Sequence, residues 1–537
     1  MKRAISILSA LCLSTLIRAN DVDPGCLPAA GEALMAPADT LQVIRRSANP
    51  AAPVADPAHL WRVDWGSEVH ALGSTGAYLP FWQRTGHDGL LPVTTGGLVS
   101  IGTDLSYQHP KGWHFAVGTN LAANLAHRNE YQRKLFTPMV DRLYVKGGWR
   151  MLELELGLLP KERTFTAPEL SLSGGNFMWS GNARNLPGVN FKLDWLYFEK
   201  GQWFGIKANF AHYQFIDPRS TMGTMLHDKS LFIKVACGRK VDFILGIEHM
   251  AQWGGTAPDG SRKPASWKDY WRIINAQSGG EDASESDQIN VLGNHLGHEV
   301  LRVDWRAEPF TMTFQYDKPF EDGTSSRFQN VPDGLWSLVF RLKDRKAAVT
   351  DLTFEFLTTK WQSGPAHDRP ATPEEIENPG HLSIRENSQG EKRVILGGCD
   401  NYFNNSEYRS GWTNYGRVIG LPLLTPRMPD ENGIARGIGN NRVRAYHFGM
   451  AGYVYEGIPY LFKSTFSKNF GIYHEPADSF YSKAPWQLSL ALEFSFEKAF
   501  TNLPVVFSVG AYGDLGQHYR KGVGLTLRLT YGDFRRF

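Results

Sequence analysis

The chain has 537 residues, of which 12% are aromatic and 54 are glycines. This composition favours many strands and turns over helices. Lys and Arg together number 57 against 54 Asp and Glu, which gives a formal net charge of +3. Because nucleic-acid binding needs concentrated positive charge, this balance argues against a nucleic-acid partner.

The N-terminus carries the features of a secretory signal. Two basic residues precede a mostly apolar stretch from residue 4 to 17, and Ala19 suits a cleavage site. The stretch is too short for a spanning helix, so residues 1–19 are predicted to be a signal peptide. Residues 20–60 are rich in Ala, Pro and Asp, and are predicted to form a periplasmic N-terminal extension or a plug.

Residues 61–537 are predicted to form one β-barrel, because apolar side chains recur at every second position. Near the C-terminus, Val523, Leu525 and Leu527 alternate with small or polar residues. The strands are longer than the roughly 5–6 residues usual in soluble proteins and suit a bilayer crossing, which needs roughly 9–11. Eighteen candidate strands lie near 61–72, 96–107, 113–122, 139–148, 150–159, 187–198, 203–215, 229–237, 241–253, 298–307, 309–318, 334–343, 348–361, 442–454, 458–468, 487–497, 503–513 and 521–532.

The connections between these strands alternate in length. Short turns, such as 110–112 and 455–457, join an even strand to the next odd one, with the short outward segment 514–519 as an exception. The connections from odd to even strands are mostly long and include 73–95, 160–186, 254–297 and 362–441. This pattern predicts an all-β fold, a transmembrane antiparallel β-barrel of 18 strands with short periplasmic turns and long extracellular loops in the outer membrane.

The last residue is aromatic. Phe537 follows Phe534 and Tyr531 at the end of the final predicted strand. A terminal aromatic residue is typical of chains that the outer-membrane barrel assembly machinery inserts, so this machinery is a predicted partner. Outer-membrane lipids are the second predicted partner, because the apolar faces of the strands would contact them.

Charged side chains of both signs fall on the faces predicted to line the lumen. We expect them to form a structural network or to line a hydrated channel. These residues are Glu153, Glu155, Lys207, Arg302, Asp304, Arg306, Glu493, Glu497 and Arg528.

The long loops are rich in aromatic and planar polar side chains. Aromatic rings cover the apolar faces of sugars, and Asn, Asp and Arg form hydrogen bonds with sugar hydroxyls. The alternative is that these aromatic residues belong to the interfacial girdle or hold loops in the lumen. The candidate polysaccharide-binding residues are Trp82, Trp179, Asn182, Arg184, Asn401, Tyr402, Asn404, Trp412, Tyr415 and Arg417.

Catalytic motifs are weak in this sequence. It contains no GxSxG, HExxH or P-loop motif, and it predicts no catalytic residue, no metal ligand and no cofactor. His295 and His298 would bind a metal only if both side chains faced the same way. A pair of histidines at this spacing more often lies in a solvated loop. Ser and His are plentiful, which leaves a barrel esterase or phospholipase open.

The cysteines suggest at most one disulfide. After signal cleavage three remain, and no pair of them has metal-ligand spacing. Cys26 and Cys237 are both predicted to lie on the periplasmic side, an oxidising compartment, where they could pair and leave Cys399 outside and single.

Several loop segments resemble the Wzi family of outer-membrane capsule-assembly proteins. The resemblance rests on Leu79 to Trp82, Trp179 to Arg184, Asn294 to Gly297 and especially Asp400 to Leu423, and it spans residues 60–537. It implies an eighteen-stranded barrel and lectin-like association with exported capsular polysaccharide at the cell surface. A helical bundle that closes the periplasmic end of Wzi proteins is not expected, because 20–60 is short and Pro-rich.

The sequence and the resemblance together predict a monomeric outer-membrane lectin that helps to assemble or retain the capsule. The expected partner is a capsular or other surface polysaccharide, with no role for nucleic acid and no enzymatic reaction. A porin-like channel is the alternative, motivated by the charged lumen, and an outer-membrane barrel hydrolase ranks below it.

Overall fold

Eighteen antiparallel strands form one sheet in the computed structural model, which describes residues 60–129, 132–159, 161–198, 202–289, 291–321, 330–362, 369–380, 382, 384–386, 389–394, 401–473, 476, 478–497 and 503–532. The strands are β1 (Leu60–Ser74), β2 (Gly96–Gln108), β3 (Trp113–Ala126), β4 (Phe136–Trp149), β5 (Leu152–Leu158), β6 (Pro187–Tyr197), β7 (Phe204–Gln214), β8 (Met225–Cys237), β9 (Val241–Trp253), β10 (Asn294–Arg306), β11 (Phe310–Phe320), β12 (Gly334–Leu342), β13 (Asp351–Thr358), β14 (Val443–Tyr455), β15 (Ile458–Asn469), β16 (Trp486–Phe496), β17 (Val505–Gly516) and β18 (Gly522–Gly532).

The sheet closes on itself, because the first strand pairs with the last. Strands β1 and β18 run antiparallel, from the pair Gly66 and Gly532 to the pair Ser74 and Gly524. Closure joins the two outermost strands of the sheet to each other, which is how strands cross a bilayer without a long open edge. The predicted fold class, a closed antiparallel barrel of 18 strands, is confirmed.

Side chains alternate between the outer wall and the lumen. In β18, Leu525 and Leu527 are 57% and 49% exposed on the outside, whereas Thr526 and Thr530 are buried inside. Aromatic residues cluster on the outer wall near the short turns, where the ring centroids of Trp61 and Tyr107 lie 4.7 Å apart. An apolar outer wall with an aromatic rim is the surface expected of a barrel in lipid.

The predicted parity of the connections is confirmed. Short turns at 109–112, 150–151 and 456–457 lie at one end of the barrel, the short-turn end. The opposite end, the long-loop end, carries the long connections 75–95, 159–186, 254–293 and 359–442, and also the predicted short exception at 517–521.

Two strands begin four residues earlier than the sequence predicts. Strand β8 begins at Met225 instead of residue 229, and β10 begins at Asn294 instead of residue 298. The outward positions there include His227, Lys229 and His295, which a loop on the outer wall covers, so the alternation that predicts a lipid-facing strand is lost.

The loops carry short elements of their own. The helices are α1 (Phe81–Arg84), α2 (Trp267–Asn275), α3 (Glu285–Ile289) and α4 (Pro373–Glu377), with 3-10 turns at Pro168–Leu170 and Phe480–Lys483. Within the part of the chain described, no helix has the length and apolar character to cross a membrane. The remaining strands are short loop segments at Arg369–Pro370, Ile384–Glu386, Lys392–Val394, Thr413–Asn414, Arg417–Val418, Thr425–Pro426 and Ile438–Asn440.

Several predictions fall outside the described residues. These are the signal peptide 1–19, the extension or plug proposed for 20–60, the terminal Phe537, and two of the three cysteines, Cys26 and Cys399. Cys237 is exposed at the end of β8. The predicted disulfide therefore stays a prediction.

Candidate functional site

The lumen is filled at the long-loop end by a plug, which consists of residues 75–95, 161–186 and 401–442. The plug shares one apolar cluster with inward-facing side chains of the wall. Its loop members are Phe81, Trp82, Leu172, Phe177, Met178, Trp179, Ala183, Leu186, Tyr402, Phe403, Trp412, Val418, Ile419, Leu421, Leu423, Leu424 and Ile438. Close packing of this kind leaves no water-filled passage through the cluster.

Four of the predicted binding residues are part of this apolar core. Trp82, Trp179, Tyr402 and Trp412 are each no more than 6% exposed. Trp82 donates a hydrogen bond from its indole nitrogen to the hydroxyl of Thr465, 3.0 Å away. Packing therefore occupies the faces of these rings in this conformation, and their predicted contact with a sugar stays a prediction.

The predicted asparagines hold the plug loops together. Asn182 donates to the carbonyl of Val418 at 2.9 Å, which ties the second plug loop to the third. Asn404 donates to the carbonyl of Ile438 at 2.9 Å and accepts from the amide of the same residue at 2.7 Å. Asn401 accepts a hydrogen bond from Asn404 at 3.1 Å. These side chains satisfy backbone groups that the irregular loops would otherwise leave unpaired.

Arg417 links the first and third plug loops. Its guanidinium donates to the carbonyls of Arg84 and Leu91 at 3.0 and 2.7 Å. Burial lowers the pKa of Arg417 to about 10. The side chain thus has a clear structural role, whatever its role in binding.

Arg184 and Tyr415 form a partly exposed pair. The guanidinium carbon of Arg184 lies 4.1 Å from the centre of the Tyr415 ring, and Tyr415 is 39% exposed. The amide of Asn414 donates to the carbonyl of Arg184 at 2.9 Å, so the two plug loops hold each other in register. Burial lowers the pKa of Arg184 from its ordinary value. Of the ten predicted binding residues, Tyr415 is the most exposed.

The sequence did not single out a buried ion pair that anchors the plug. Arg219, 2% exposed, bonds to Asp217 at 3.1 Å and donates to the carbonyls of Gly411 and Thr413 at 3.3 and 3.4 Å. Burial raises the pKa of Asp217 and lowers that of Arg219, while the pairing opposes both shifts. Both residues lie in the short loop between β7 and β8, and nothing in the sequence of this loop predicts that they anchor the plug.

A tight backbone turn brings the acceptor of this anchor into place. Gly411 has a φ of +62°, and a Cβ built there would lie 2.6 Å from the carbonyl oxygen of Phe403. A side chain would therefore strain the turn and push residue 411 away from Phe403 within the same plug loop. This glycine precedes Trp412, whose amide donates to the same carbonyl of Phe403 at 3.1 Å.

Below the plug, towards the short-turn end, lies a polar chamber of about 1000 Å³. Trp82 and Asn182 contribute to its roof. Its charged lining is mixed in sign and consists of Arg62, Asp64, Asp104, Arg142, Lys146, Glu155, Lys161, Glu162, Arg163, Glu169, Lys192, Lys463, Glu493 and Arg528. This mixture suits a hydrated polar space better than a selective site for one ion sign.

Ion pairs between neighbouring strands hold the chamber wall. Lys192 bridges Glu153 and Glu155 at 3.6 and 3.1 Å. Farther round the wall, Arg306 pairs with Asp242 at 2.8 Å. The prediction that the charges of the lumen form a structural network is confirmed for these residues. In the plug above, burial raises the pKa of the Glu169 carboxyl.

The two histidines considered as metal ligands face opposite sides of the wall. His298 points into the lumen, where its ring nitrogens contact Asp317 at 2.9 Å and Glu248 at 3.0 Å. His295 points outwards and contacts the ring of His249. They cannot share a metal ion, and the described residues hold no cluster of three or more His, Cys, Asp or Glu suited to one.

No protein-family model matches the sequence, and no curated protein matches it. Among solved structures, the chain is similar to Wzi of Escherichia coli, an outer-membrane protein involved in group 1 capsule assembly and a carbohydrate-binding β-barrel. The two are 13% identical, with a TM-score of 0.50 over 86% of this chain and 83% of that one.

Two further similar structures are OccAB4 of Acinetobacter baumannii and OprD of Pseudomonas aeruginosa. OccAB4 is 10% identical over 88% of this chain and 97% of its own, with a TM-score of 0.41. OprD is 9% identical over 88% and 94%, with a TM-score of 0.42. Identities this low show the fold alone: the chain is an outer-membrane type of β-barrel with 18 strands, and some of its loops pack inside the lumen.

Proposed function

We propose that this barrel associates with an exported surface polysaccharide, in the first place capsular polysaccharide, and helps to assemble or retain it at the cell surface. The observation that carries the proposal is the plug. An apolar core of described loop residues packs in the lumen at the long-loop end and narrows any path for solutes, which favours the loops themselves as the surface on which function would act.

The binding surface we favour is the pair formed by Arg184 and Tyr415. An exposed tyrosine ring offers a flat apolar face to the C–H side of a sugar, and a neighbouring guanidinium binds carboxylates or hydroxyls. The pair is held rigidly, because the amide of Tyr415 donates to Asp217 at 3.0 Å and Arg184 is fixed through Asn414. Rigid presentation lowers the entropy cost of binding.

The first test is binding of the purified, refolded barrel to capsular polysaccharide from its own strain. We expect the wild type to bind and Tyr415→Ala to bind more weakly, because the ring that covers the sugar is lost. Phe480→Ala is the matched control, since Phe480 is also an exposed loop aromatic but lies outside the plug. Equal weakening by both variants would argue against this pair, and no binding by the wild type would contradict the proposal.

A porin-like channel is the second candidate, and the polar chamber is the observation that favours it. A space of about 1000 Å³ lined by both charge signs could take up ions or small solutes from the short-turn end. Conduction would require the plug to move. Single-channel recording in planar bilayers separates the candidates: we expect little conductance from the wild type, and a steady large conductance would favour the channel.

We do not propose an enzymatic reaction. The buried His298 resembles part of a catalytic dyad, but both of its ring nitrogens contact carboxylates, Asp317 and Glu248. Neither nitrogen is positioned to activate a serine or cysteine nucleophile. Activity of the purified protein on acyl lipids or on glycans would contradict this part of the proposal.

A further inference from the structure

The loop between β9 and β10 packs against the outside of the barrel, whereas the plug loops pack inside the lumen. In β9, Gln252 points inwards and donates to the plug carbonyl of Gly411 at 3.0 Å. The alternate residues Ala251 and Trp253 therefore point outwards, yet they are 0% and 5% exposed. Ile273, Ala283 and Leu292 of the loop share an apolar cluster with them and supply the cover.

Helix α2 is fixed to this outer wall along one face. It begins with a capping box in which Ser266 and Asp269 satisfy each other's backbone amides. The ring of Tyr270 stacks on Trp253 with 5.0 Å between centroids. Lys229, an outward-facing residue of β8, donates a hydrogen bond to the carbonyl of Ile274.

The opposite face of helix α2 is open. Trp267 and Trp271, one turn apart, are 78% and 60% exposed. Lys268 is exposed next to them, and Arg272, one turn further on, bonds to Asp269 at 2.8 Å. Two large exposed tryptophans flanked by basic residues are a costly surface in water, but they are typical of helices that lie in a membrane interface.

The height of the helix on the barrel matches such an interface. Lys229, which holds the helix, pairs across the sheet with His249. The next outward positions towards the short-turn end are Leu231 and Ile247, each 45% exposed on the apolar wall. Two residues along a strand span about 7 Å, so the helix lies one step above the lipid-facing band.

We propose that helix α2 is an interfacial anchor, which inserts Trp267 and Trp271 into the lipid headgroup layer at the long-loop end and places Lys268 beside anionic headgroups. The position argues for lipid over polysaccharide, because the tryptophans lie beside the outer wall and not above the plug. Tryptophan prefers this layer, and basic residues are attracted to anionic lipid. The anchor would also explain why outward-facing polar residues such as His227 and His249 are tolerated there, since the loop shields them.

The test places a spin label at each tryptophan in the full-length barrel in bilayers. Trp267→Cys and Trp271→Cys are made one at a time in a chain expressed without residues 1–19 that carries serine in place of Cys26, Cys237 and Cys399. Vesicles of phosphatidylcholine with phosphatidylglycerol receive the protein, and collisions with oxygen and with a water-soluble nickel chelate are measured. Because both tryptophans are exposed, these variants should fold normally.

Two positions calibrate the depth scale. Leu245→Cys reports the lipid, because Leu245 is 43% exposed on the apolar wall. Glu374→Cys reports water, because Glu374 is exposed in helix α4. We expect labels at 267 and 271 to lose most of the nickel accessibility seen at 374 and to fall between the two standards in oxygen accessibility. Accessibility equal to that at 374 would overturn the proposal.

Three further arms separate other occupants of this face. Protection of position 271 that appears only when capsular polysaccharide is added would replace the lipid contact with a sugar contact. Protection that depends on protein concentration would assign the face to a second copy of the chain. Removal of phosphatidylglycerol should raise nickel accessibility in the otherwise wild-type chain but not in Lys268→Gln, and the absence of this difference would overturn the headgroup contact.

Discussion

The two halves of the lumen are built on opposite principles. Towards the long-loop end apolar inward side chains such as Leu226, Met250 and Leu296 pack against the plug, and polar ones such as Gln252 form hydrogen bonds with it. Towards the short-turn end the inward side chains are charged, and pairs such as Lys192 with Glu155 surround an open chamber. The same alternation of strand positions thus produces a dry core in one half and a wet space in the other, according to what the loops bring to the inner wall.

The largest predicted effect comes from opening the plug, which would remove the difference between the two halves of the lumen. Trp412→Ala removes a ring that is 2% exposed in the core of the plug and should cost about 3–5 kcal/mol of packing stability. We expect the conductance of the barrel in planar bilayers to rise and the loop around 412 to become sensitive to protease. Tyr415→Ala, three residues away and exposed, is the control and should do neither. Unchanged conductance in the Trp412 variant would show that the plug is held by something other than its core.

The next largest effect should come from the buried ion pair. Arg219→Gln leaves Asp217 buried without its charged partner and loses the bonds to Gly411 and Thr413, so we expect about 3 kcal/mol of lost stability. Thermal unfolding in detergent measures the loss. Adding Asp217→Asn should recover part of it, because the unpaired charge is then removed. No recovery in the double variant would mean that the hydrogen bonds, not the charge, carry the effect.

An acid-dependent loosening should follow from His518 in the loop between β17 and β18. Burial, together with the nearby charge of Arg84, lowers the pKa of His518 from 6.5 to about 4. The ring faces Tyr481 and Tyr519 and contacts the hydroxyl of Thr425 at 2.9 Å. In the unfolded loop, His518 binds a proton below about pH 6.5. In the folded loop, it binds this proton only below about pH 4.

Stability from this contact is therefore complete above pH 6.5 and falls as the pH is lowered towards 4, by up to about 3 kcal/mol. Hydrogen exchange of the loop, followed from pH 7 to 4, measures this dependence. His518→Gln is the control and should show a flatter profile across the same range. A profile in wild type that is as flat as that of the variant would mean that the ring is open to water.

The smallest predicted effect concerns the exposed surface of the plug. The contact of 4.1 Å between the Arg184 guanidinium and the Tyr415 ring is worth about 0.5–1 kcal/mol at a partly exposed site. A double-mutant cycle with Arg184→Gln and Tyr415→Ala, read as polysaccharide affinity, should therefore show a coupling of this size. Strict additivity would indicate that the two side chains do not act as one surface.

The strands could be predicted from the sequence because the side chains of a membrane-barrel strand alternate between lipid and lumen, so that hydrophobicity along the chain has a period of two residues. All eighteen lie near the predicted positions, since lipid on one side and a polar lumen on the other enforce the alternation. The prediction missed the starts of β8 and β10, where His227 and His295 point outwards. The loop between β9 and β10 covers them: Tyr270 of helix α2 contacts His227, and the carbonyl of Leu292 contacts His295. No local sequence pattern predicts that a loop will fold back over the wall.

The candidate site was harder to predict. Loop aromatics suggested a sugar-binding surface, but alternation ends where the strands end, so the sequence does not tell whether a loop ring packs inwards or faces water. Trp412 and Tyr415 lie three residues apart in one loop, and one is 2% exposed and the other 39%. Only tertiary packing distinguishes them, and it is the anchor at Arg219, for which the sequence gave no signal, that helps to set it.

We propose that the barrel holds polysaccharide at the cell surface instead of conducting solutes. The amount of cell-bound capsule in a strain that lacks this chain, compared with the same strain complemented by the wild-type gene, tests this proposal. We predict less cell-bound and more released polysaccharide in the deletion strain, with complementation restoring the cell-bound layer. A normal cell-bound capsule in the deletion strain would contradict the account.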